Sequence, residues 1–156
     1  METTDYYVVY ADGACEPTNP KGNMGIGVII FDKERKTVFE LSKYIPAKDL
    51  NYATSNNVAE YMGIIEAMNF FIKNNLQKEK IICCGDSKLW INQLGGTWGC
   101  NGGIYTKYYY EAKELVKQFS NIKFEWIPRE KNYIADELSK RGMIAAGCQF
   151  KIQPIK

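Results

Sequence analysis

Tyr6-Tyr7-Val8-Val9-Tyr10-Ala11-Asp12-Gly13 and Ile81-Ile82-Cys83-Cys84-Gly85-Asp86 share one plan: a run of β-branched, aromatic or small apolar residues that stops at an aspartate beside a glycine. Such residues suit the pleated surface of a strand, and Asp and Gly suit the turn that ends one. The second run is uniformly apolar, as expected of a central strand buried on both faces. If the two strands are parallel neighbours, Asp12 and Asp86 emerge at the same edge of the sheet.

Between these runs, residues 25–31 and 37–45 are two more strand-like stretches joined by the charged turn Asp32-Lys33-Glu34-Arg35, so the first three strands form an antiparallel meander. From Asn57 onward, Tyr61, Ile64, Ile65, Met68, Phe71 and Ile72 recur at the three-to-four spacing of a helix packed on one face. A second helix is expected to start at Asp86-Ser87, a glycine-rich loop to occupy residues 95–103, and a third helix residues 105–119. A last strand over 122–127 stops at Pro128, and a final helix covers 132–141. The expected fold class is α/β: a mixed five-stranded sheet, antiparallel meander then parallel strands, flanked by helices. Residues 1–142 form the expected domain. Residues 143–156 form a tail in which Phe150, Ile152 and Ile155 are spaced to pack on it.

With 156 residues, 46% of them hydrophobic, the chain is sized for one domain with a real core. No apolar run approaches the roughly 18–20 residues that span a bilayer, and Met1-Glu2-Thr3-Thr4-Asp5 lacks the basic start and apolar stretch of a signal peptide. The expectation is a cytoplasmic monomer with no membrane partner. The five cysteines are odd in number and none has Cys-x-x-Cys spacing, so they read as buried or free thiols. A formal net charge of +2 says little about a nucleic-acid partner. The absence of histidine excludes Ser-His-Asp and Cys-His catalysis and histidine-ligated metals. Carboxylates or lysines must carry any chemistry.

Four acids stand where this layout brings residues together: Asp12 and Asp86 at strand ends, Glu60 and Asp136 on flanking helices. Carboxylates gathered near 4 Å repel by about 4 kcal/mol per pair at an effective dielectric of about 20, so a cluster needs bound cations or protons. Oxygen-only ligands suit Mg²⁺ or Mn²⁺ and favour phosphate chemistry. Each acid also has a plainer role. Asp12 suits a turn, Glu60 can close a capping box with Asn57, Asp86 suits an N-cap, and Asp136 can pair with Lys140 for about 0.3–0.5 kcal/mol.

Four stretches in order weigh against the plainer roles: Tyr10-Ala11-Asp12-Gly13-Ala14; Ser55-Asn56-Asn57-Val58-Ala59-Glu60-Tyr61; Gly85-Asp86-Ser87-Lys88-Leu89; and Trp126-Ile127-Pro128-Arg129-Glu130-Lys131-Asn132 with Ala135-Asp136-Glu137-Leu138-Ser139. Together they make residues 6–141 resemble the ribonuclease H type 1 family. The resemblance implies the ribonuclease H-like fold and an endoribonuclease that hydrolyses the RNA strand of RNA–DNA hybrids. It also implies two Mg²⁺ (or Mn²⁺) ions held by Asp12, Glu60, Asp86 and Asp136, one activating the attacking water and one stabilising the leaving 3′ oxygen, with 5′-phosphate and 3′-hydroxyl products. Gly13 and Ala14 would let backbone approach the RNA. Asn56 and Asn57 resemble residues that touch the minor groove, where the 2′-hydroxyls lie, and Ser55 stands where many relatives place a DNA-phosphate contact. The plainer role for these three is to cap the helix.

Two departures from the family pattern stand out. Many members carry a histidine in the loop before the last helix, where this chain has Arg129, Glu130 and Lys131; Glu130, the only acid there, is the expected stand-in. Some relatives carry a basic protrusion in the region of residues 89–106, which here contains no charged residue, so this is a compact form. Two other readings compete. A haloacid-dehalogenase-type phosphatase needs a second acid two residues after its nucleophile, and position 14 is Ala14. A non-catalytic nucleic-acid module of the same fold would normally have lost one of the acids.

Overall fold

The computed structural model describes residues 3–151. Strands β1 (Tyr7–Glu16), β2 (Asn23–Phe31) and β3 (Thr37–Ile45) form the antiparallel meander. They are followed by helix α1 (Asn56–Lys73), β4 (Lys80–Gly85), α2 (Lys88–Leu94), α3 (Thr106–Val116), β5 (Asn121–Trp126) and α4 (Tyr133–Ala145). The five strands lie in the order β3-β2-β1-β4-β5, with β1–β4 and β4–β5 parallel. This is the mixed sheet expected from the strand patterns.

Helix α1 packs on one face of the sheet through Val58, Tyr61, Ile64, Met68 and Phe71, all essentially inaccessible, against Val9, Ala11, Ile26, Val28 and Ile30. Of the expected apolar stripe, Ile72 is only partly buried, because it sits in the last turn. Helix α4 covers the other face, and two glycines of β2 seat it. A Cβ on Gly25 would overlap the Ser139 carbonyl oxygen and approach Met143; one on Gly27 would overlap the Ala135 carbonyl oxygen and lie 2.5 Å from the Ser139 nitrogen. The backbone of α4 therefore rests on the backbone of β2, with no side chain between them.

Three boundaries differ from expectation for physical reasons. Strand β1 does not stop at Asp12; it continues to Glu16, because its antiparallel ladder with β2 runs on to the Glu16–Asn23 pair. Helix α4 continues past Arg141 to Ala145, carrying the fully buried Met143 against Gly25. Helix α2 begins at Lys88, with Ser87 rather than Asp86 in the cap position. In the tail, Phe150 is buried, while Ile152 and Ile155 lie outside the described residues. All five cysteines are free thiols. Among the described residues no helix is long and apolar enough to cross a membrane.

The seat under α4 can be tested directly. Gly25→Ala should destabilise the protein at the upper end of the about 1–3 kcal/mol typical of overpacking, or beyond it, because a backbone oxygen cannot rotate away. That lowers the melting temperature by about 2–4 °C per kcal/mol for a chain of this size. An unchanged thermal melt would show that α4 can lift off β2 at no cost.

Candidate metal centre

Strand register brings the first two acids together. The parallel ladder between β1 and β4 ends at the Tyr10–Cys84 rung, and Asp12 and Asp86 each lie two residues beyond it, so they come level. Glu60 arrives on α1 and is 4% exposed. This approach is possible because Gly13 has no side chain: a Cβ there would lie 2.6 Å from the Glu60 nitrogen and 2.7 Å from the Ala59 Cβ. The absent side chain of Gly13 thus admits α1, and the residue also lines the cleft. Carboxylate oxygens of Asp12, Glu60 and Asp86 lie within 4.8 Å of one another. Asp136, in the first turn of α4, stands outside this tight trio but beside Asp12, and it lines the same cleft of about 870 Å³.

The electrostatics follow from burial and crowding. Burial first, then the charges of Asp86 and Asp136, drive the Asp12 carboxyl well above the usual carboxylate range, although the Gly13 N–H donates to its Oδ1 at 2.9 Å. Burial first, then Asp12 and Asp86, do the same to Glu60. Asp86 is raised as well, chiefly by burial. Glu60 Oε1 is buried without a hydrogen-bond partner. The trio fits a hard divalent cation such as Mg²⁺ or Mn²⁺: its donors are all oxygen, and a cation satisfies both the repulsion and the orphaned oxygen.

Of the plainer roles, only one is realised among the four acids. Asp12 lies within a strand, Glu60 is buried beyond the first turn of α1, and Asp86 precedes the cap of α2. Asp136 does pair with Lys140, at 3.0 Å, and Arg129 approaches it at 4.0 Å. Ser55 is the N-cap of α1, its hydroxyl accepting from the Val58 N–H at 3.1 Å. Asn56 lines the cleft and Asn57 is partly exposed beside it; Gly13 and Ala14 line the floor.

Other residues of the cleft escaped the sequence reading. Asn19 accepts from the Asn56 N–H at 3.1 Å and donates to the Asn56 Oδ1 at 2.8 Å, tying the loop after β1 to the tip of α1. Asn19-Pro20 marks only a turn in sequence, and nothing local reveals where that turn docks. Arg129 lines the cleft whereas Glu130 is exposed outside its lining. The residue facing the acids from the loop before α4 is therefore a cation, and not the acid expected as the stand-in for histidine. Trp90 is a core residue, 1% exposed against Phe124 and Gly85, while Trp98 is exposed.

Comparison with known proteins places the sequence and the fold. The family model described as reverse transcriptase-like matches residues 10–142. A bifunctional protein of Mycobacterium tuberculosis is 34% identical over 139 residues, covering 89% of this chain but 36% of its own length, so the chain spans about a third of that relative. The solved N-terminal RNase H domain from Mycobacterium tuberculosis is 30% identical, with a TM-score of 0.77 over 92% of this chain and 97% of that one. LC11-RNase H1, whose structure was solved in complex with an RNA/DNA hybrid, is 31% identical, with a TM-score of 0.77 over 90% of this chain and 98% of that one. On this match of sequence and fold, the chain belongs to the reverse-transcriptase-like family and, within it, to the ribonucleases H of type 1.

Proposed function

We propose that this protein is an endoribonuclease that hydrolyses the RNA strand of RNA–DNA hybrids. The observation that carries the reading is the buried trio Asp12, Glu60 and Asp86, with Asp136 beside it in one open cleft. The likeness to a ribonuclease H1 solved with an RNA/DNA hybrid supports the substrate class. No observation favours the non-catalytic alternative, since all four acids are present and gathered.

Asp12, Glu60, Asp86 and Asp136 would hold two Mg²⁺ or Mn²⁺ ions. When bound, such ions supply charge neutralisation at the scissile phosphate and an activated water for in-line displacement, leaving 5′-phosphate and 3′-hydroxyl ends. The protein's own residues do the rest. Asn56, braced by Asn19, and Asn57 offer amides to the minor groove, where 2′-hydroxyls distinguish RNA from DNA. Ser55 holds the helix tip that presents them. Arg129 and Lys140 pair with Asp136 at the cleft wall, placing positive charge where a phosphate backbone would pass. We read residues 1–142 as the body of the ribonuclease H domain, completed by the last turn of α4 to Ala145, with Phe150 packed on it.

Incubation with labelled hybrid, double-stranded RNA and double-stranded DNA tests the reading. RNA in the hybrid should be cut only with Mg²⁺ or Mn²⁺ and DNA duplex spared; cutting that persists in excess EDTA would refute it. Asp12→Asn should fold normally and lose turnover by orders of magnitude; retention of more than about a tenth of wild-type turnover at saturating Mg²⁺ would remove Asp12 from the chemistry.

The metal-free protein should also show a negative slope of stability against pH. Carboxyls raised in the folded state keep protons that the unfolded chain releases near about pH 4. The stability they confer is therefore full below that value and lost as pH rises through the raised folded values. Thermal melts in EDTA from acid to neutral pH should fall accordingly. Asp12→Asn or added Mg²⁺ should recover stability at neutral pH, and a flat profile would mean that the carboxylates are not crowded.

A further inference from the structure

Asn132 immediately precedes α4, is 1% exposed, and has no part in the chemistry above. Its backbone carbonyl accepts from the Asp136 N–H at 3.0 Å, closing the helical turn that carries that acid. Its Nδ2 donates at 3.0 Å to the carbonyl of Ala11, 121 residues away in sequence and directly before Asp12. A carbonyl can only accept, so the nitrogen end of the amide must face Ala11. The amide oxygen, Oδ1, is buried without a partner. The residue thus bears the desolvation penalty of an unpaired oxygen in order to deliver its nitrogen, where an apolar side chain of equal size would carry no such penalty.

We infer that Asn132 is a positioning residue that couples β1 just before Asp12 to the first turn of α4 at Asp136, holding two acids from distant parts of the chain at the spacing a divalent cation needs. The inference rests on the reading of these acids as metal ligands. It assigns Asn132 no contact with substrate and no proton transfer. Partners that orient ligands in this way typically change metal affinity by about 10–100-fold when removed.

The test is the Mn²⁺ affinity of the protein without nucleic acid, measured by titration calorimetry. Asn132→Leu keeps the γ-branched shape of the side chain and deletes the donor. It should weaken Mn²⁺ binding by about 10–100-fold and lower kcat on hybrid while leaving the KM for hybrid in place, a split that a general loss of stability would not produce. If the leucine variant does not fold, Asn132→Ala admits a water to the Ala11 carbonyl, and the same direction with a smaller effect is expected. Wild-type Mn²⁺ affinity in either folded variant overturns the inference, whatever happens to the melting temperature. A wild-type chain that binds Mn²⁺ yet leaves hybrid uncut would instead refute the ribonuclease reading, with the affinity comparison still standing.

Discussion

Like charges resist being buried together, and this fold holds Asp12, Glu60 and Asp86 within 4.8 Å of one another with two of them almost inaccessible. Each ionised carboxylate loses hydration and gains repulsion, so the arrangement survives only because the scaffold around it leaves the acids nowhere else to go. Strand register sets Asp12 and Asp86 level. Tight packing of α1 sets Glu60 against them, and a cation is what such a set of oxygens accommodates. The strain of the site and its function have the same origin.

Glycine supplies the required closeness on both faces of the sheet. Gly13 lets α1 approach β1 until the Glu60 backbone occupies the space of a side chain, and Gly25 and Gly27 let α4 do the same over β2. The helices that carry Glu60 and Asp136 are thereby held by backbone contact, which does not yield as a flexible side chain would. Fully buried Tyr61, Met68 and Met143 fill the remaining volume. The result is a rigid frame with an open cleft on one edge.

The cleft is not purely acidic. Arg129 and Lys140 reach Asp136, and Asn19 pins Asn56. In the loop before α4, where many family members carry a histidine, this chain offers a guanidinium, which cannot shuttle protons at neutral pH but can pair with phosphate oxygens. Between α2 and α3 the segment is uncharged and glycine-rich, so it offers no charge to a phosphate backbone.

Much of this was legible in the linear sequence. Strand and helix patterns, the order of elements and the exclusion of histidine ligands follow from residue type and spacing, because these depend on local periodicity and on chemistry that does not change on folding; the four acids stood out as a set through the resemblance to ribonuclease H. Only the tertiary structure decided the rest. It extended β1 beyond Asp12, since a ladder with β2 outweighs a local turn signal at Asp-Gly. It turned Gly13 into a seat for α1, placed Asp136 outside the tight trio, chose Arg129 over Glu130, and brought Asn19 and Asn132 to partners 37 and 121 residues away. Sequence determines which chemistry the chain owns. Which groups meet is settled by long-range packing, where the nearest neighbour in space is set by the whole core and carries no local signature.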